Sequence, residues 1–156
     1  MAAGEAARFL NAALLADRRW PTLRAMTNTP SRPVEFPALR DPRRPVHRIA
    51  DQLEPCLRAI VERIRPDKII LFGSQAYGKP DEHSDVDLLV VRRRIESELH
   101  SNLEIRRAMR EADFANLPFT ILSKTPERIA GQLGKRSAFY EEIVGRGVSL
   151  YEAGKD

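Results

Sequence analysis

From about residue 49 onward, the spacing of apolar positions changes period several times, and each change marks an element. Apolar residues at 49, 53, 57, 60, 61 and 64 recur at three- and four-residue intervals, which predicts a helix from about Asp51 to Ile64, with Asp51 and Glu54 as its capping pair. Pro55 fits such a helix only near the first turn. "DKIILFG" then becomes a continuous β-branched run closed by glycine, the pattern of a strand. "SDVDLLVVRR" predicts a second strand, and its unbroken apolar half implies a sheet centre covered on both faces. Ile95, Leu99, Leu103 and Met109 mark a helix to about Ala112, and "LPFTILSK" reads as a third strand. Thr125 before Pro126 predicts a capped helix that Gly134 ends. Ser137 opens another, through Phe139, Tyr140, Ile143 and Val144, before Gly145 and Gly147 lead into a last strand, "VSLYE". The order α, β, β, α, β, α, α, β, without repeats, predicts a small α/β domain with a sheet flanked by helices.

The first 45 residues break this pattern. Ala3 to Ala16 has the spacing of a short helix, but "NTPSRPVEFPALRDPRRPV" has proline too often for helix or central strand. Six of the eleven prolines lie in residues 1–45, which are therefore expected to be a flexible extension or one draped on a partner; residues 46–156 form the folded domain. The net charge of +4 has the same boundary: residues 1–45 hold eight arginines against four acids, while the remainder balances at eighteen and eighteen. The basic character thus belongs to the extension and gives no support for direct nucleic-acid binding by the folded body. The single Cys56 excludes an internal disulfide framework. No long apolar span or signal-peptide centre is present, so no membrane association and a cytoplasmic location are expected.

Chemistry concentrates between Leu71 and Val91, "LFGSQAYGKPDEHSDVDLLVV". Side chains two apart on a strand share a face, so Asp85 and Asp87 project together while Val86 points the other way. Two carboxylates that close repel each other unless protonated or bridged by a metal. Mg²⁺ suits them, being a hard ion that takes oxygen ligands and keeps positions for water and phosphate. Upstream, the missing side chain of Gly73 lets a phosphate approach the backbone; Ser74 adds a hydroxyl and opens a short helix whose free N–H groups face an anion. Tyr77 and Gly78 shape the intervening loop, His83 is given no role, and Arg92 to Arg94 are read as a solvated strand exit.

"GSQAYGKPDEHSDVDLLVV", a Gly-Ser pair separated by ten residues from Asp-X-Asp, resembles the signature of the minimal nucleotidyltransferases of the DNA polymerase β superfamily. The similarity runs from about Arg58 to Glu152 and includes "TPERI" and "GVSLYE". It implies a polymerase-β-like mixed sheet and Mg²⁺-dependent transfer of a nucleoside monophosphate from an NTP, expected to be ATP, to a hydroxyl. By the same resemblance Gly73 and Ser74 would bind the triphosphate, and Asp85 and Asp87 would be catalytic metal ligands. Family enzymes usually carry a third carboxylate on the next strand; here that position falls on Thr120 or Leu122, according to how the strand is aligned. Asp113 is a candidate substitute. Three readings follow. The first is a transferase acting on a protein, as in the HEPN/MNT toxin–antitoxin pairs whose small member adenylylates a HEPN ribonuclease partner. The second is a catalytically weakened nucleotide-binding or partner-binding module. An antibiotic-modifying transferase is the third, disfavoured because little chain follows the motif to hold a small-molecule acceptor.

Overall fold

The computed structural model describes residues 33–112 and 117–154. The helix expected over residues 3–16 and the candidate Asp113 lie outside them. Two 3₁₀ turns, Pro37–Arg40 and Pro45–Ile49, precede α1 (Ala50–Ile64). There follow β1 (Lys68–Phe72), α2 (Ser74–Tyr77), β2 (Val86–Val91), α3 (Glu98–Arg110), β3 (Phe119–Lys124), α4 (Pro126–Gly134), α5 (Ala138–Arg146) and β4 (Val148–Glu152). Apart from the short α2, expected from the Gly-Ser turn, the order from α1 onward is the one the periodicities predict. Thr125 caps α4 through its side chain, which accepts from the Arg128 N–H, and Pro126 occupies the first turn.

The sheet runs β3-β2-β1-β4. β1 is antiparallel to both β2 and β4, while β2 and β3 are parallel, which makes the sheet mixed. Alternation along the strands sends Ile69, Leu71, Val86, Leu88, Val90 and Ile121 into one apolar layer, where α1 and α3 cover them. Ile70, Phe72, Leu89 and Val91 face the other way, under α4 and α5. The two-sided burial of β2 explains its unbroken apolar run, since Leu88, Leu89 and Val90 are each fully buried. Each such side chain contributes about 1.5–3 kcal/mol of transfer free energy. The construction leaves β2 and β3 rigidly registered, so whatever sits at their ends is held by a packed core.

Three local expectations are revised. The extension does not continue to residue 45 as a linker: Phe36 and Leu39 are buried in the layer beneath α1. Proline blocks regular structure there, but the 3₁₀ turn it permits is enough to turn two apolar side chains inward. The proposed Asp51–Glu54 cap is also absent, because the preceding 3₁₀ turn runs directly into α1 and makes Ile49 its cap residue, with no side-chain bond. Both carboxylates instead pair with Arg40. Finally, α3 buries Ser101, Ile105, Ala108 and Met109, while Leu99 and Leu103 face outward. The buried stripe includes a serine because Ser101 donates to Ser123 of β3 at 2.9 Å.

Candidate functional site

Asp85 and Asp87 stand at the N-terminal end of β2, on the face shared with Leu89 and Val91. In the β1–β2 ladder Asp87 lies directly opposite Phe72, so the next residue of β1, Gly73, leaves the strand beside the carboxylate. Gly73 has φ +73° and ψ −156°, a region essentially restricted to glycine. A Cβ there would collide with Asp87 Oδ2 and come within 3.1 Å of its Cγ. The glycine is therefore required twice, for backbone angle and for space. The chain then winds into α2: Ala76 and Tyr77 both donate their N–H to Gly73 O at 3.1 Å, so the earlier N–H groups of Ser74 and Gln75 take no part in the helical bonding. Gly78 closes this turn tightly, since a Cβ on it would lie 2.7 Å from Ser74 Cα.

The third strand completes the cluster. In the parallel β2–β3 register Thr120 is paired with Asp87, whereas Leu122 is paired with Leu89 and packs into the apolar layer under α4 and α5. Of the two alignments open in the sequence, register favours Thr120 as the residue beside the aspartates. Its hydroxyl donates to Asp85 Oδ2 at 3.5 Å, a long hydrogen bond. Asp87 is partly buried, and this loss of hydration raises its carboxyl above the usual aspartate range, with the Asp85 charge acting in the same direction. No cation among the described residues relieves Asp87.

The donor set suits a hard divalent ion: two carboxylates and a hydroxyl, all oxygen, on one face, with Asp85 exposed. Among the described residues no group of three or more His, Cys, Asp or Glu side chains stands ready for a metal. A cation here would thus depend on Asp85, Asp87, water and ligand oxygens, as Mg²⁺ commonly does.

Other sequence candidates separate from this cluster. Exposed His83 donates its backbone N–H to Asp81 Oδ1 in a local turn. Arg92 and Arg93 are not solvated at the strand exit but paired, Arg92 with Glu104 at 2.7 Å and Arg93 with Asp67 at 3.6 Å. A groove of about 410 Å³ lies along α1 and the end of α3, lined by Glu54, Arg58, Glu62 and Glu111 among others, and contains none of the site residues.

Two residues beside the site were not singled out for it in the sequence. Arg146, at the end of α5, places its guanidinium 4.4 Å from the centre of the Tyr77 ring, against the turn that begins at Ser74. Phe139, at the start of α5, meets Phe72 edge-to-face with ring centroids 5.8 Å apart. The signal for Phe139 was its adjacency to Tyr140, because only one of two successive aromatics on a helix can take the buried position.

Among the described residues no helix is long and apolar enough to cross a membrane. No curated protein and no solved structure gives a significant match to the chain. A family model described as "nucleotidyltransferase domain" matches residues 53–150, which spans β1, α2, the aspartate-bearing β2 and β3. That match covers more than half of the chain, which therefore belongs to the nucleotidyltransferase domain family.

Proposed function

We propose that the protein transfers a nucleoside monophosphate, with AMP from ATP as the expected case, to a hydroxyl of a partner protein such as a HEPN toxin, releasing pyrophosphate. The carrying observation is Asp87, partly buried with no cation beside it among the described residues and packed against Gly73, with Asp85 on the same face. In this reading Gly73 gives the triphosphate close access to the backbone, and the Ser74 hydroxyl and first N–H groups of α2 bind its oxygens. Asp85 and Asp87 hold Mg²⁺, which when bound neutralises phosphate charge and aligns the group for in-line displacement. Ordering the phosphates against a packed sheet end is the chain's main contribution, since positioning and charge neutralisation dominate phosphoryl chemistry. The antitoxin role would follow if the modified hydroxyl belongs to a toxin.

A second reading is favoured by one specific observation. Thr120 occupies the register position beside Asp87 where the family's third carboxylate is expected, and its hydroxyl cannot act as a base at neutral pH. The chain would then bind nucleotide and a partner while transferring slowly or not at all. Incubation with each labelled NTP, Mg²⁺ and a co-purified partner separates the two. Intact-mass measurement should find the partner heavier by one nucleoside monophosphate; label retained without any mass gain would favour the binding module.

A further inference from the structure

Three large apolar side chains among the described residues stand exposed: Leu99, Leu103 and Phe139. Leu99 and Leu103 lie on α3, behind the sheet face opposite the aspartates. Phe139 is on the aspartates' own side. Its ring is perpendicular to that of Phe72, and Phe72 is the direct cross-strand partner of Asp87. Such partners have Cβ atoms about 4.5–5.5 Å apart, so Phe139 is one side chain removed from the carboxylate pair. A second perpendicular contact, to Tyr140 at 5.4 Å, holds the ring from another direction. Tyr140 and Ile143 anchor α5 in the core, yet half of the Phe139 surface remains open to solvent. An ordered, exposed aromatic beside a phosphate-binding turn has the form of a stacking surface.

We propose that Phe139 is the platform for the nucleobase of the bound nucleoside triphosphate, whose phosphates lie at Gly73, Ser74, Asp85 and Asp87. The inference rests on the nucleotide reading above and adds a base subsite to it. A phenyl ring has no hydrogen-bonding groups, so the platform selects by stacking area and accepts purines over pyrimidines without reading their edges. Its neighbours Phe72 and Tyr140 keep the ring fixed before the ligand arrives, which lowers the ordering cost of binding.

Calorimetry on the full chain with two ligands, Mg–ATP and Mg–tripolyphosphate, tests this directly, because only the first carries a base. Phe139→Ala should weaken Mg–ATP by about 5- to 150-fold, the range for a base losing its aromatic partner, and leave Mg–tripolyphosphate unchanged. Phe139→Tyr should retain ATP affinity. Equal loss of both ligands would mean that Phe139 only supports the fold, and an ATP affinity unaffected by Phe139→Ala would also overturn the platform. Either result, with wild-type tripolyphosphate binding intact, leaves the nucleotide reading standing. Failure of the wild type to bind either ligand would remove both.

Discussion

At the C-terminal end of the parallel β2–β3 pair Arg92, Lys124 and Arg128 each meet a carboxylate. Arg92 bonds Glu104 and Ser101, each at 2.7 Å, and Lys124 and Arg128 share Glu98 at 2.7 and 2.9 Å. At the N-terminal end of the same two strands, Asp85 and Asp87 face a hydroxyl and, among the described residues, no cation. The strands are equally well registered at both ends, so the difference is not one of packing. Charge that is balanced within the chain fastens α3 and α4 to the sheet. Charge left unbalanced costs stability unless a ligand completes it.

Completing the negative end tests that contrast most strongly. Thr120→Asp adds a carboxylate beside Asp87, and transfer to a verified partner should rise by about 10²-fold, the lower part of what a positioned general base typically contributes. Leu122→Asp should instead destabilise the domain without any gain, because it puts the charge opposite Leu89 in the apolar layer. A faster Leu122→Asp enzyme would show that register has been misapplied to the chemistry.

Gly73→Ala should have the next largest effect. The positive φ and the collision with Asp87 together should cost about 1–3 kcal/mol by urea denaturation, with nucleotide affinity falling in parallel. At the balanced end the cost should be smaller and confined to stability. Glu98→Gln removes a partly exposed pair to Lys124 and should cost about 0.5–1 kcal/mol while leaving Mg–ATP affinity unchanged.

The smallest effect is one of sign. Hydrogen bonding from Lys124, with the charges of Lys124 and Arg128, holds the Glu98 carboxyl below its ordinary range, so its contribution is present above the unfolded-state pKa and is lost as pH falls through the lowered folded value. Asp87 behaves oppositely. Burial raises its carboxyl, so the penalty for its charge is full above the folded pKa and is relieved as pH falls. Metal-free Asp87→Asn should therefore melt slightly higher than wild type near neutral pH, with the gain shrinking in acid. A lower melting temperature for Asp87→Asn at neutral pH would mean that the carboxylate is already satisfied within the chain.

The proximity of the candidate site residues was legible because their relations are local. Asp85 and Asp87 share a face by strand periodicity, and Gly73 and Ser74 follow a short apolar run by one and two residues. What remained hidden depends on contacts distant along the chain. Arg40 captures Asp51 and Glu54 across a 3₁₀ turn, and no helix-capping rule includes such a competitor. Phe36 and Leu39 are buried although prolines surround them, because two inward side chains need a turn but no regular element. Leu99 and Leu103 fit helical spacing yet face outward, since the face that α3 buries is the one carrying Ser101, Ile105, Ala108 and Met109. The choice between Thr120 and Leu122 required strand register, which a gap between two strands does not specify.

The central claim, that the unbalanced aspartates exist to hold a metal–triphosphate complex beside Gly73, is tested most directly by calorimetric titration of ATP into wild type and Asp85→Asn/Asp87→Asn, with Mg²⁺ and with EDTA. Binding to wild type should depend on Mg²⁺, and the double variant should lose at least about 100-fold, more than is typical for losing a residue that merely supports a ligand. The variant should remain folded. Equal affinity in the two proteins, or wild-type binding indifferent to EDTA, would contradict the claim.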